Sequence, residues 1–144
     1  MPDRPPLLAR IQDLIDTLRL QLQRDTSTGA QGERAAAKML KQKNYRLMAR
    51  NLRNRFGEID MIALTPDNKT VVIVEVKTAE DPAARPELRV DHKKQRRLIA
   101  LAAQVARRYK LQGRPLRFDV IAVNLQPNTD PTFRHYEAAF DSHV

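Results

Sequence analysis

The chain has 144 residues, enough for one domain with a real hydrophobic core. It contains no cysteine, which excludes a disulfide framework and any thiolate metal centre. The net charge of +9 points to a polyanionic partner, and no apolar run approaches the ~20 residues of a membrane span.

In chain order, three prolines among the first six residues lead into an amphipathic pattern from Leu7 to Arg24. Leu7, Leu8, Ile11, Leu14, Ile15, Leu18 and Leu22 recur at helical spacing and predict a helix with one apolar stripe. The stripe has to be covered, by the domain or by a second copy in a homodimer. A membrane-surface helix would carry more Lys and Arg and an aromatic anchor. Arg10, Asp13, Asp16 and Arg19 interrupt any signal-peptide pattern, so a cytoplasmic protein is expected. Asp25 to Gly29 reads as a polar linker, which divides an extension (residues 1–28) from a main domain (residues 29–144).

The next helix is expected from Thr28 to Lys43, with Ala35, Ala36, Met39 and Leu40 facing the core. Glu33 falls in its first turn, where an acid complements the helix dipole or, alternatively, serves a site. A strand from Tyr45 to Leu52 ends in a cationic run containing Arg50, Arg53 and Arg55, suited to phosphate contact. Then comes a hairpin: strands from Glu58 to Leu64 and from Thr70 to Thr78, joined by the polar turn Thr65-Pro66-Asp67-Asn68-Lys69. Alternate strand residues share a face, so Glu58 lies with Asp60 and Glu75 with Lys77, while Val72, Val74 and Val76 point into a core.

If pairing brings the charged faces together, several carboxylates converge. Neighbouring carboxylates repel, and a divalent cation between them removes the repulsion. Mg²⁺ or Mn²⁺ fits, with Asp60, Glu75 and the Val76 carbonyl as oxygen ligands. Lys77 would orient the attacking water, help deprotonate it, or neutralise phosphate charge. A solvated ion pair is the plainer reading of Glu-x-Lys. The run Val71-Val72-Ile73-Val74 argues for more, because charges ending a buried strand are costly unless used or paired.

Beyond a loop at residues 79–86, a helix is expected from Arg89 or Val90 to Lys110. From Arg85 to Arg114 ten Lys or Arg stand against Glu87 and Asp91, so most of the excess positive charge is in this segment. Lys93, Lys94, Arg96 and Arg97 crowd the helix start, where cations oppose the dipole, which points to nucleic-acid phosphates as their ligand, with a solvated face as the alternative for each alone. A strand follows from Leu116 to Leu125, in which Asp119 is expected to pair with Arg117 structurally, and a short last strand covers Phe133 to Phe140. His92, His135 and His143 show no zinc spacing. This order of elements predicts an α/β domain with a central mixed sheet flanked by helices.

Gly57-Glu58-Ile59-Asp60, followed by Glu75-Val76-Lys77, resembles the Asp…Glu-x-Lys core of the restriction-endonuclease-like superfamily. More closely, the chain resembles the YraN-like family of small bacterial proteins. That match adds Gly29-x-x-Gly32-Glu33-x-x-Ala36, Ala49-Arg50-Asn51-x-Arg53, Val90-x-x-Lys93-x-x-Arg96 and Arg117-Phe118-Asp119-Val120. The superfamily also holds archaeal Holliday-junction resolvases. Ile59 stands where the superfamily motif has Pro, and Ala79 where relatives commonly carry Arg.

The resemblance implies a restriction-endonuclease-like fold and a metal-dependent nuclease acting on DNA, with branched or structured DNA included. It assigns Asp60 and Glu75 to metal, Lys77 to catalysis, and Glu33, Glu58 and Gln95 to supporting roles. The alternative is a non-catalytic nucleic-acid-binding module on the same scaffold.

Overall fold

In the computed structural model the described residues are 27–55, 57–81, 83, 91–111 and 113–140. The predicted helix between residues 7 and 24, and its role in a dimer, lie outside them.

The first described helix, α1 (Thr28–Gln42), is capped by Ser27, whose hydroxyl accepts from the Ala30 N–H at 3.2 Å. It ends one residue earlier than expected. Lys43 closes it through N–H bonds to the Met39 and Leu40 carbonyls, and Asn44 turns the chain out with a left-handed φ of 64°.

Five strands follow the order β1 (Arg46–Asn54), β2 (Gly57–Leu64), β3 (Val71–Ala79), β4 (Leu116–Asn124) and β5 (Thr132–Phe140). They lie in one sheet in that same order. β1, β2 and β3 are antiparallel neighbours, β3 and β4 are parallel, and β5 returns antiparallel. The parallel step needs a crossover, and α2 (His92–Tyr109) lies within it.

The cationic run that the sequence left between strand and loop is largely strand, since β1 extends to Asn54 and pairs Arg53 with Glu58. The last strand is also longer than expected, at nine residues. The turn between β2 and β3 is held by Asp67, whose Oδ1 accepts from the Thr65 hydroxyl at 2.6 Å and the Lys69 N–H at 3.1 Å.

One helix covers each face of the sheet. On one face Ala36, Ala37, Met39 and Leu40 of α1 pack with Met61, Ala63, Val72, Val74, Val76, Ile121 and Val123. On the other, Leu98, Leu101, Ala102 and Ala106 of α2 pack with Ile59, Ile62, Leu64, Val71, Ile73 and Phe118. β3 is therefore buried on both sides, which explains its unbroken aliphatic run. Each fully buried aliphatic side chain contributes ~1.5–3 kcal/mol. The α/β architecture with a mixed sheet flanked by helices is the one expected from the sequence. No helix among the described residues is long and apolar enough to cross a membrane.

Candidate active site

The site forms where β2 and β3 part. Their ladder runs only from Leu64 opposite Val71 to Met61 opposite Val74. Below that point β2 continues along β1 to Gly57, and β3 continues along β4 to Ala79. Residues 57–60 and 75–79 thus border a fork. A strand N–H without a ladder partner still needs an acceptor. The Val76 N–H finds one in Asp60 Oδ2 at 2.8 Å, so the carboxylate replaces a missing rung.

Both helices reach the fork. Gly32 of α1 is buried against Thr78, so closely that a Cβ would overlap the threonine side chain. Its lack of a side chain lets the helix start lie on the end of β3 and brings Glu33 to the opening. One carboxylate oxygen each of Glu33, Glu58 and Asp60 lies within 4.8 Å of the others. On the opposite layer, Arg97 and Leu101 of α2 pack over Gly57, whose φ is 146°. One turn earlier on that row, Lys94 reaches Glu75.

Glu75 is 3% exposed. Its Oε1 lies 3.3 Å from Lys77 Nζ and 3.3 Å from Lys94 Nζ. Its Oε2 is buried and has no hydrogen-bond partner. Such an acceptor is unfavourable unless something occupies it.

The electrostatics match a cluster of acids held close together. Burial, reinforced by the Glu75 charge, pushes the Asp60 carboxyl up to about 8 despite the Val76 N–H. Burial and the Glu58 charge likewise raise Glu33, against the opposing pull of Arg50 and a hydrogen bond from Asn51. Arg50 is half-buried, its Nε has no hydrogen-bond partner, and burial lowers its pKa against the pull of Glu33.

Among the predicted ligands, Asp60 and Glu75 adjoin, and the Val76 N–H bonds one of them. A strand residue projects its N–H and C=O to the same side, so the Val76 carbonyl faces the fork as well. Glu33 and Glu58 stand beside Asp60. Lys77 pairs with Glu75 rather than with Asp60. From α2 it is Lys94 that reaches Glu75, while Gln95 is half-buried at the next helix position. Lys93, Arg96, Arg97 and Arg55 are exposed, and Arg53 pairs with Glu58 at 3.2 Å.

Two contributors stand in the family's motifs but had no role in the sequence reading. Asn51, at a left-handed φ of 52°, turns its amide onto Glu33. Thr78 receives Gly32. Asn is among the few residues tolerated in that backbone region, so Asn51 inside a strand pattern was an available signal.

The donor set suits a hard divalent cation: clustered carboxylates, a raised Asp60, and a buried oxygen lacking a partner.

Comparison with known proteins agrees on the family. The description "Uncharacterised protein family UPF0102" matches residues 32–123. A UPF0102 protein of Persephonella marina is 39% identical over 114 residues, covering 78% of this chain and 92% of its own. One from Rhodopirellula baltica is 41% identical over 118 residues, covering 79% and 70%. One from Thermodesulfovibrio yellowstonii is 41% identical over 113 residues, covering 78% and 94%. Among solved structures, "The structure of Pyrococcus Furiosus SfsA in complex with Ca2+" overlaps with a TM-score of 0.28 and 11% identity, over 75% of this chain and 61% of that one. That overlap is too slight to carry an argument. The matched span runs from the glycine that seats α1 through β4 and includes each acid of the fork: the chain belongs to the UPF0102 family, the YraN-like family that its motifs resemble.

Proposed function

We propose that this protein is a metal-dependent nuclease that hydrolyses phosphodiester bonds of DNA, including branched or structured DNA, in the cytoplasm. The observation that carries the reading is Glu75 Oε2, buried and without a hydrogen-bond partner beside the acids Glu33, Glu58 and Asp60. Glu33, Glu58, Asp60, Glu75 and the Val76 carbonyl would hold Mg²⁺ or Mn²⁺. The cation would supply Lewis-acid stabilisation of charge developing on the phosphate oxygens.

The chain's own residues do the rest. Val76 N–H and the Asn51 amide fix the orientations of Asp60 and Glu33. Lys77, held by Glu75, orients the attacking water and offsets phosphate charge. Water attacks phosphorus, the bond to the leaving oxygen breaks, and that oxygen takes up a proton. Arg50, Arg53, Arg55, Lys93, Arg96 and Arg97 would supply the charge that holds the strand backbone. The described residues contain no tryptophan and few aromatic side chains, so recognition rests on backbone and shape rather than on stacked bases.

The test is cleavage of labelled single strands, duplexes, flaps and four-way junctions in Mg²⁺, Mn²⁺ or EDTA. Wild type should cut only with metal, and Asp60→Ala and Glu75→Ala should lose activity by ~10³-fold or more. Equal cutting by both variants would refute the site. Metal-independent binding without cutting would favour the non-catalytic module.

A further inference from the structure

Glu75 has more cations than it needs on one oxygen and none on the other. Lys77 and Lys94 both address Oε1 at 3.3 Å, while neither pairs with Oε2. Two ammonium groups on one oxygen repel each other, so one of them is replaceable. The two differ in how they are held. Lys77 sits on β3, opposite Ala122 of β4, inside a continuous ladder. Lys94 projects from the first turn of α2, where its backbone N–H is anchored on the Asp91 cap at 2.9 Å. There its positive charge opposes the helix dipole, and Glu75 offsets this together with the Asp91 cap. Its side chain is 29% exposed, open to an incoming group. Its direction is set by the turn below, since Arg97 and Leu101 on the same helix row pack on Gly57.

We propose that Lys94 is an exchangeable phosphate ligand of the site, not a fixed contact of the basic rim. In the metal-free protein it neutralises Glu75. Once a divalent cation supplies that charge, the Lys94 ammonium is repelled and moves from Glu75 Oε1 to a phosphate oxygen of the substrate. The inference rests on the nuclease reading for its ligand. It assigns Lys94 a role that depends on metal, whereas an ordinary rim contact acts equally with and without it.

The experiment measures binding rather than turnover. Affinity for a labelled DNA duplex and a labelled single strand is read by fluorescence anisotropy in EDTA and in Ca²⁺, for wild type, Lys94→Gln and Lys94→Arg. Mn²⁺ affinity without DNA is read by calorimetry. In wild type, metal should tighten DNA binding by ~5- to 150-fold, the ordinary range of coupling between sites. Lys94→Gln should reduce that factor about tenfold, the worth of one charge-assisted hydrogen bond. It should change DNA affinity in EDTA by less than about twofold, because Lys94 is then engaged with Glu75. Mn²⁺ should bind Lys94→Gln more tightly than wild type, since the competing ammonium is gone. Lys94→Arg keeps the charge and should retain most of the coupling.

Equal loss of DNA affinity in EDTA and in Ca²⁺ would make Lys94 a rim contact and overturn the inference. So would unchanged coupling in Lys94→Gln. If wild type binds no metal, this inference and the nuclease reading fail together. If metal and DNA binding are coupled through Lys94 but no substrate is cut, only the nuclease reading fails.

Discussion

Two clusters of charge lie in this sheet, and they are built on opposite principles. One strand over, opposite Val74, Asp119 of β4 is 1% exposed and has every acceptor position answered. Arg117 donates to it twice at 2.8 Å, His135 Nε2 lies at 2.8 Å, and the Ala138 N–H donates at 3.0 Å. Tyr45 extends the network, accepting from Arg117 at 2.8 Å and donating to Glu137 at 3.1 Å. Burial raises the Asp119 carboxyl, but His135, Arg117 and the Ala138 N–H outweigh it and hold the group below its ordinary value. At the fork, Asp60 is raised and Glu75 keeps an oxygen without a partner. Both places bury carboxylates at a strand. One has four donors on its two oxygens, and the other sets a raised Asp60 carboxyl against Glu75, to which it can lend its proton in place of a cation. A satisfied cluster reads as structure and an unsatisfied one as a binding site.

The largest effect on stability should come from the satisfied cluster. Asp119→Ala leaves Arg117 and His135 facing an empty acceptor, and removal of one partner from a buried pair costs about 3–5 kcal/mol. Urea unfolding in EDTA should show that loss. Asp60→Asn should act in the opposite direction under the same conditions, raising the midpoint, because it removes a charge that burial and Glu75 oppose. A destabilised, metal-free Asp60→Asn variant would contradict the account of the fork.

The same contrast fixes the pH dependence. Asp60 moves from an ordinary 3.8 to about 8 on folding, so between those values the folded state binds more protons than the unfolded. Its contribution to stability is therefore lost as pH rises through that window, and Glu33 pulls the same way. Asp119 has a lowered value, so its contribution is present above 3.8 and is lost as pH falls through the folded value. Thermal unfolding in EDTA from about pH 5 to about pH 8 should show Tm declining as Asp60 loses its proton, less steeply in Asp60→Asn. Mn²⁺ replaces the proton, so it should raise Tm most near the alkaline end. The same Tm slope in wild type and Asp60→Asn would remove Asp60 as its source.

Much of this was legible in the sequence, for identifiable reasons. The unbroken aliphatic run from Val71 to Val74 and the helical spacing of Leu98, Leu101 and Ala102 report burial directly, and burial is what builds the sheet and its layers. Asp119 with Arg117 was legible because the partners are two residues apart on one strand face. The fork was less so. Nothing in residues 57–64 or 71–79 states that their ladder stops at Met61 and Val74. That stop decides that the Val76 N–H turns to Asp60. The partners of Glu75 from α2, and of Glu33 from β1, are set by how whole helices dock on the sheet. This is why pattern alone pointed to Gln95 rather than Lys94, and why Asn51 stood in a motif without a role.

Helix docking can be broken directly. Gly32→Ala would drive a Cβ into Thr78, and forcing α1 outward costs about 1–3 kcal/mol by the ordinary measure of overpacking. Because α1 carries Glu33, Mn²⁺ affinity should fall along with stability. Thr78→Ala removes the two nearest obstructing atoms, Oγ1 and Cγ2, and keeps the Cβ. In the double variant the two losses should therefore be smaller than their sum, a coupling that a cycle reads out. Strict additivity would mean that the close approach of Gly32 to Thr78 does not position the helix.

The smallest effect should be at the rim. Arg53 pairs with Glu58 at 3.2 Å, but its side chain is 75% exposed. An exposed pair of this kind contributes up to about 1 kcal/mol. Arg53→Ala should therefore leave Tm almost unchanged, unlike Asp119→Ala. It frees Glu58, one of the clustered acids, so Mn²⁺ affinity should stay equal or rise slightly. If Arg53 also holds a phosphate, DNA affinity should fall similarly for every substrate tested, and the salt slope should drop by about 1. An unchanged slope would confine Arg53 to holding Glu58 in place. The rim cations would then divide into those that grip the backbone and those that serve the acids behind them.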